Sequence, residues 1–67
     1  MTTLAEALPA QQARCREILE RALEIGPAGA FLAEMLRQSL VRAERAAAEG
    51  DLPAMIRALN ELQAYSE

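Results

Sequence analysis

Apolar and polar residues alternate with a helical period along residues 31–49, the longest stretch of the chain without glycine or proline. Apolar or small residues recur at the i, i+3, i+4, i+7 spacing of one helix face, at positions 32, 35, 36, 39, 40, 43, 46 and 47. Charged residues fall elsewhere. The pattern predicts a long amphipathic helix around which the other segments pack.

A second amphipathic pattern precedes this stretch. Residues 1–7 are expected to fray, although Leu4 and Leu8 could fold back onto a neighbour. Pro9 suits the first turn of a helix, where its missing N–H is not needed. A broad apolar face follows, made of Cys15, Ile18, Leu19, Ala22, Leu23 and Ile25. A third pattern, after residue 50, places Leu52, Met55, Ile56, Leu59 and Leu62 on one stripe.

Two glycine corners separate the three patterns. Gly26 suits the position just past a helix end and Pro27 the start of the next helix, while Gly50 and Asp51 suit a left-handed stop followed by an N-cap. The expected elements are helix 1 at about 9–25, helix 2 at about 28–49 and helix 3 at about 52–65. The short second corner makes helices 2 and 3 an antiparallel hairpin, in an all-α fold.

The first corner, Gly26-Pro27-Ala28-Gly29, has two interpretations. Glycines at a helix N-terminus can bind an anion. They also allow two helices to approach closely at a tight corner. The usual phosphate loop needs a preceding strand, more glycines and a lysine, all of which are missing here, so the corner interpretation is favoured.

The 67 residues form one domain, residues 1–67, whose core alone would stabilise it weakly. Cys15 is the only cysteine and there is no histidine, which excludes an intrachain disulfide and the usual zinc sites. The expected core is Leu19, Ala22, Leu32, Met35, Leu36, Leu40, Ala43, Ile56 and Leu59. We expect the fold to be completed by a homodimer along helix 2, and the candidate self-association or partner-binding residues are Phe31, Met35, Leu36, Leu40 and Val41.

The side chains argue against catalysis. The chain has no histidine, one cysteine and one tyrosine, and its carboxylates are expected on a solvated face. No catalytic residue, metal ligand or cofactor-binding residue is therefore assigned, and no cofactor is expected. The net charge of −3 gives no long-range attraction to phosphates, and acidic residues interrupt the arginines of helix 2, so nucleic acid is not an expected partner. The N-terminus does not resemble a signal peptide and no stretch is apolar for long enough to span a membrane, which predicts a cytoplasmic protein.

Three blocks carry a resemblance: RCREIL at residues 14–19, IGPAGAF at 25–31 and GDLPAMI at 50–56. In this order they resemble small uncharacterised proteins of temperate phages and prophages of proteobacteria, particularly Mu-like ones. The resemblance implies a phage-encoded accessory protein and carries no activity or residue role with it. Very small phage proteins often act by binding and inhibiting a host protein, so that class of function gains weight. The leading hypothesis is thus a non-catalytic helical protein-interaction module, and the alternative is a dimeric DNA-associated regulator.

Overall fold

The computed structural model describes residues 3–65, which fold into a bundle of three α-helices. Helix α1 spans Leu4–Ile25, α2 spans Pro27–Glu49 and α3 spans Leu52–Gln63. No strand is present within the described range. The all-α class is therefore confirmed, and both glycine corners lie where the sequence predicts them.

Helix α1 begins at Leu4, well before the predicted start near residue 9. The Thr3 hydroxyl caps it by accepting a hydrogen bond from the Glu6 backbone N–H at 3.3 Å. The carboxylate of Glu6 in the first turn also suits the positive end of the helix dipole. The expected fraying of the N-terminus is wrong from Leu4 onward, and residues 1 and 2 lie outside the described part of the chain.

Pro9 consequently lies inside α1 rather than in its first turn. Its nitrogen cannot donate to the carbonyl of Ala5, and a proline in a helix interior costs about 3 kcal/mol. The neighbouring Leu8 is buried in the core, and burying a leucine fully stabilises the fold by about 1.5–3 kcal/mol. The burial of Leu8 offsets much of the cost of Pro9, so the helix continues through it.

The second corner follows a regular helix-ending pattern. Gly50 has a left-handed backbone with φ of 65°, and its N–H donates to the Ala47 carbonyl at 3.2 Å while the Asp51 N–H donates to the Ala46 carbonyl at 3.2 Å. These paired bonds are those of a Schellman motif. The Asp51 carboxylate then caps α3 by accepting from the Ala54 N–H at 3.2 Å. The corner and the predicted N-cap are confirmed.

The core lies where the three helices meet. It consists of Leu8, Cys15, Ile18, Leu36, Leu40, Ala43, Ala58 and Leu62, with Leu19, Met55, Leu59 and Tyr65 packed against it. Among the residues predicted for the core, Leu32, Met35 and Ile56 are instead exposed, so their assignment is wrong. The core residues that the prediction lacked are Leu8, Cys15 and Ile18 of α1 and Ala58 and Leu62 of α3.

The orientation of α2 explains part of this error. Gly29 and Ala33 of α2 are buried, and a β-carbon at position 29 would overlap the backbone of Ala22 in α1. The side of α2 that faces α1 therefore passes through small residues, which let the helices come close. Leu32 and Met35 lie to one side of this contact.

Helix α3 is too short to cover the whole α1–α2 hairpin. It has 12 residues, against 23 in α2, so it is about 18 Å long beside a helix of about 35 Å. Its C-terminal end is near the middle of α2, because the hydroxyl of Tyr65, two residues after the end of α3, lies 2.9 Å from the Ser39 hydroxyl. We call the end of the hairpin that α3 does not reach, residues 19–38, the tip.

Candidate functional site

The five residues predicted for self-association or partner binding do not form one surface. Leu36 is 0% exposed and Leu40 is also buried in the core, so neither can contact another molecule in the folded chain. Phe31 is 78% exposed, and Met35 and Val41 are exposed as well. The structure therefore keeps three of the five as candidates.

Hydrogen bonds to α3 and to Tyr65, two residues after its end, show which side of α2 faces this helix. Ser39 contacts Tyr65, and the Arg42 guanidinium donates to the Glu61 carboxylate at 2.8 Å and 3.2 Å. Residues four apart share a helix face, so Met35, four before Ser39, lies on this same side. Val41, two residues after Ser39, points elsewhere.

Leu32 and Phe31 extend the α3-facing side of α2 into the tip. Leu32 is seven residues before Ser39, and Phe31 is four residues before Met35. Both are exposed. Since α3 ends near Ser39, it covers this face of α2 only from Ser39 onward. Leu32 and Phe31 lie on the same face before Ser39, where α3 does not cover them.

Helix α1 contributes one more apolar side chain to this face. Arg14 donates to the Leu62 carbonyl oxygen at 2.8 Å, which marks the side of α1 that faces α3. Ile18 and Ile25 follow at helical spacing on that side. Ile18 is buried, whereas Ile25, in the tip, is 64% exposed. We call the exposed set Ile25, Phe31, Leu32 and Met35 the tip surface.

The dimensions of the molecule agree with an uncovered end. The radius of gyration is 12.1 Å, whereas a compact chain of this length has about 11 Å. The accessible surface is 4503 Å², above the roughly 4,200 Å² that the scaling of surface with mass gives for a folded monomer. Both differences have the direction that an elongated bundle gives, and the extents of 35 × 23 × 15 Å are those of an elongated bundle.

The C-terminal end of α3 is held by polar contacts from both other helices. The Leu62 carbonyl accepts from Arg14 at 2.8 Å and from the Cys15 thiol at 3.5 Å. Burial raises the pKa of the Cys15 thiol above its ordinary value, and the nearby charge of Arg14 lowers it by a smaller amount. The hydrogen bond to Glu61 raises the pKa of Arg42. These contacts fix where α3 ends and hence where the tip begins.

The geometry of the first glycine corner favours the interpretation as a helix–helix corner. The Gly29 N–H donates to the Gly26 carbonyl at 2.9 Å, and Pro27 has no N–H to offer an anion. Gly26 has a φ of 86° and ends α1. Gly29 is needed for the close approach to Ala22. Backbone conformation explains Gly26 and helix packing explains Gly29, and neither explanation involves a ligand.

The described residues give little support for a metal site or for reactive carboxylates. In that part of the chain, no three His, Cys, Asp or Glu side chains cluster as a metal site would require. Glu34 pairs with Arg37 at 2.7 Å and Glu44 with Arg16 at 3.2 Å, in both cases at the surface. None of the described helices combines the length and the apolar character needed to cross a bilayer.

Comparison with known proteins adds no further information. No protein-family model, curated protein or solved structure matches the chain. The likeness to phage proteins therefore stays a prediction.

Sequence reasoning missed two residues of the tip surface. It assigned Leu32 to the core and placed Ile25 on the apolar face of helix 1 without a role. The signal that could have found them is length, because a third helix that starts after residue 51 and has one short apolar stripe cannot cover two helices of more than 20 residues.

Proposed function

We propose that this chain is a non-catalytic helical protein-interaction module that binds through the tip surface. The observation that carries the proposal is the position of Ile25, Phe31, Leu32 and Met35 on one side of the hairpin, where the third helix does not reach. A contiguous exposed apolar surface on a small protein is a typical interaction site. Burying it gains about 25 cal/mol for each Å² removed from water.

The first partner we propose is a second copy of the chain, as a homodimer. The four residues of the tip surface carry no charge, so a two-fold axis can place the surface against its own copy without opposing like charges. Phe31 provides the largest exposed side chain, and aromatic residues are frequent anchors of interfaces. Dimerisation would then rest on the tip surface and not on Leu36 and Leu40.

A host protein is the second partner that we propose for the same surface, on the basis of the phage resemblance. A phage-encoded modulator or inhibitor would act by covering a site on its target, which needs no catalytic residue in this chain. The proposed compartment is the cytoplasm, where the single buried thiol of Cys15 would stay reduced. The DNA-associated alternative has less support, because Arg37 and Arg42 are paired with carboxylates.

Light scattering combined with thermal melting tests the proposal. The expected molar mass at high concentration is twice the chain mass of 7.3 kDa, and the melting temperature should fall on dilution because dimerisation stabilises by mass action. A single chain mass and a melting temperature that is independent of concentration would contradict the dimer. Binding to a host protein would then be the remaining form of the proposal.

A further inference from the structure

A groove of about 340 Å³ runs between α2 and α3 at the end of the bundle opposite the tip. Its walls carry three arginines, Arg42 and Arg45 from α2 and Arg57 from α3. We propose that this groove binds an acidic segment of a partner protein. The proposal does not rest on self-association, since it involves none of the residues of the tip surface.

Two of the three arginines are available to a ligand. Arg42 is paired with Glu61 across the groove at 2.8 Å. Arg45 and Arg57, which are exposed on facing walls, make no ion pair with another residue of the described range. A guanidinium stays charged at all physiological pH values and binds carboxylates through two parallel hydrogen bonds. Two such groups on opposite walls can hold carboxylates that lie along the groove.

The floor of the groove allows a peptide to come close. It is formed by Ala46, Ala54 and Ala58, whose methyl groups leave the backbones of α2 and α3 near the surface. Ala46 and Ala58 are buried. A helix with alanine-sized residues on one side could lie on this floor while its acidic residues reach the arginines on the walls.

The charges of the groove favour an acidic peptide over a nucleic acid. Glu49 and Glu61 also line it, so a continuous row of phosphates would meet negative charge as well as positive. The net charge of −3 repels an acidic peptide and a nucleic acid alike at long range, so the preference between them has to come from the groove itself. A peptide can place separate carboxylates opposite Arg45 and Arg57 and leave the two glutamates facing neutral or basic residues.

Fluorescence anisotropy with defined probes tests this site. The first probe is a labelled peptide of repeated Glu-Ala-Ala-Ala units, which aligns carboxylates at i, i+4 on one helix face. The second has glutamine in place of each glutamate, and the third is a single-stranded oligonucleotide. The expected result is that the acidic peptide binds at least about tenfold more tightly than either of the others, and that added salt weakens its binding.

Variants of the chain show which arginine side chains bind the acidic peptide. Arg45→Gln and Arg57→Gln should each weaken the acidic peptide about tenfold, whereas Arg37→Gln should leave it unchanged. Arg37 is a matched control, because its side chain is also on α2, is 52% exposed and lies outside the groove. The proposal is overturned if the glutamine peptide binds as tightly as the acidic peptide, or if the oligonucleotide binds more tightly. It is also overturned if Arg37→Gln weakens binding of the acidic peptide as much as Arg45→Gln and Arg57→Gln do. Circular dichroism of every variant confirms that the helices are retained.

Discussion

Gly29 of α2 lies so close to Ala22 of α1 that a β-carbon at position 29 would be 2.8 Å from the Ala22 carbonyl carbon and would overlap its oxygen. Non-bonded carbon atoms in proteins do not approach that closely, and the contact is with backbone, which cannot rotate away as a side chain can. Gly29→Ala should therefore push the helices apart. Overpacking of this kind costs about 1–3 kcal/mol, which chemical denaturation would measure.

A neighbouring position gives the control for that prediction. Ala30 is exposed on the same turn of α2, and surface substitutions such as Ala30→Ser usually change stability by less than about 0.5 kcal/mol. If Gly29→Ala were as stable as Ala30→Ser, the close helix contact at Ala22 would be wrong.

Two leucine-sized residues of α3 should differ sharply on truncation. Leu62 is 0% exposed, whereas Ile56 on the same helix is 51% exposed. Leu62→Ala should cost about 2–5 kcal/mol because it leaves a cavity in the core. Ile56→Ala should cost much less in the monomer, since water already reaches that side chain. Thermal melts measure the loss of stability in each variant. Equal losses of stability in the two variants would mean that α3 is rotated from the orientation described.

The N-cap of α3 depends on a side-chain oxygen. The Asp51 carboxylate accepts from the Ala54 N–H at 3.2 Å, so Asp51→Ala should destabilise the fold by about 0.5–2 kcal/mol. Asp51→Asn keeps an oxygen in the same place and should retain most of the stability. Urea titrations measure the free energy of unfolding of both variants. If Asp51→Asn were as destabilised as Asp51→Ala, the side-chain cap would not be what stabilises the start of α3.

The buried thiol of Cys15 should make stability depend on pH. Burial raises its pKa in the folded state above the ordinary value of 9.0. The stability from this group is therefore fully present below pH 9 and is lost as the pH rises from 9 toward the folded pKa, because the unfolded chain loses the proton first. Cys15→Ala removes the titrating thiol. In this pH range, the free energy of unfolding of the variant should therefore fall less steeply than the free energy of unfolding of the wild type.

Much of the fold was predictable from local chemistry. The glycines at 26 and 50 and the cap at Asp51 act through their own backbone or through side chains a few residues away, so they can be recognised in the sequence. The start of α1 has a local signal too, because the Thr3 hydroxyl accepts from the Glu6 N–H, but Pro9 favours a competing start. The burial of Leu8 against the other helices supports the earlier start, and that contact is not local in the sequence.

The interaction residues were predictable only in part, for a physical reason. Phe31 stands out because it is a large apolar side chain at the edge of a helix face, and it is exposed in the structure. Leu36 and Met35 are adjacent on the apolar stripe, yet one is buried and the other is exposed. The difference comes from the length and position of α3, which a helical wheel of α2 does not contain.

Sedimentation equilibrium of three proteins tests the central claim most directly: the wild type, Phe31→Asp and Val41→Asp. Both variants place a charge on an exposed apolar position of α2, but only Phe31 belongs to the tip surface. We predict that the wild type and Val41→Asp sediment with twice the chain mass of 7.3 kDa, while Phe31→Asp sediments as a folded monomer. A monomeric wild type at every concentration, or a Phe31→Asp variant that still dimerises, would contradict self-association through the tip surface.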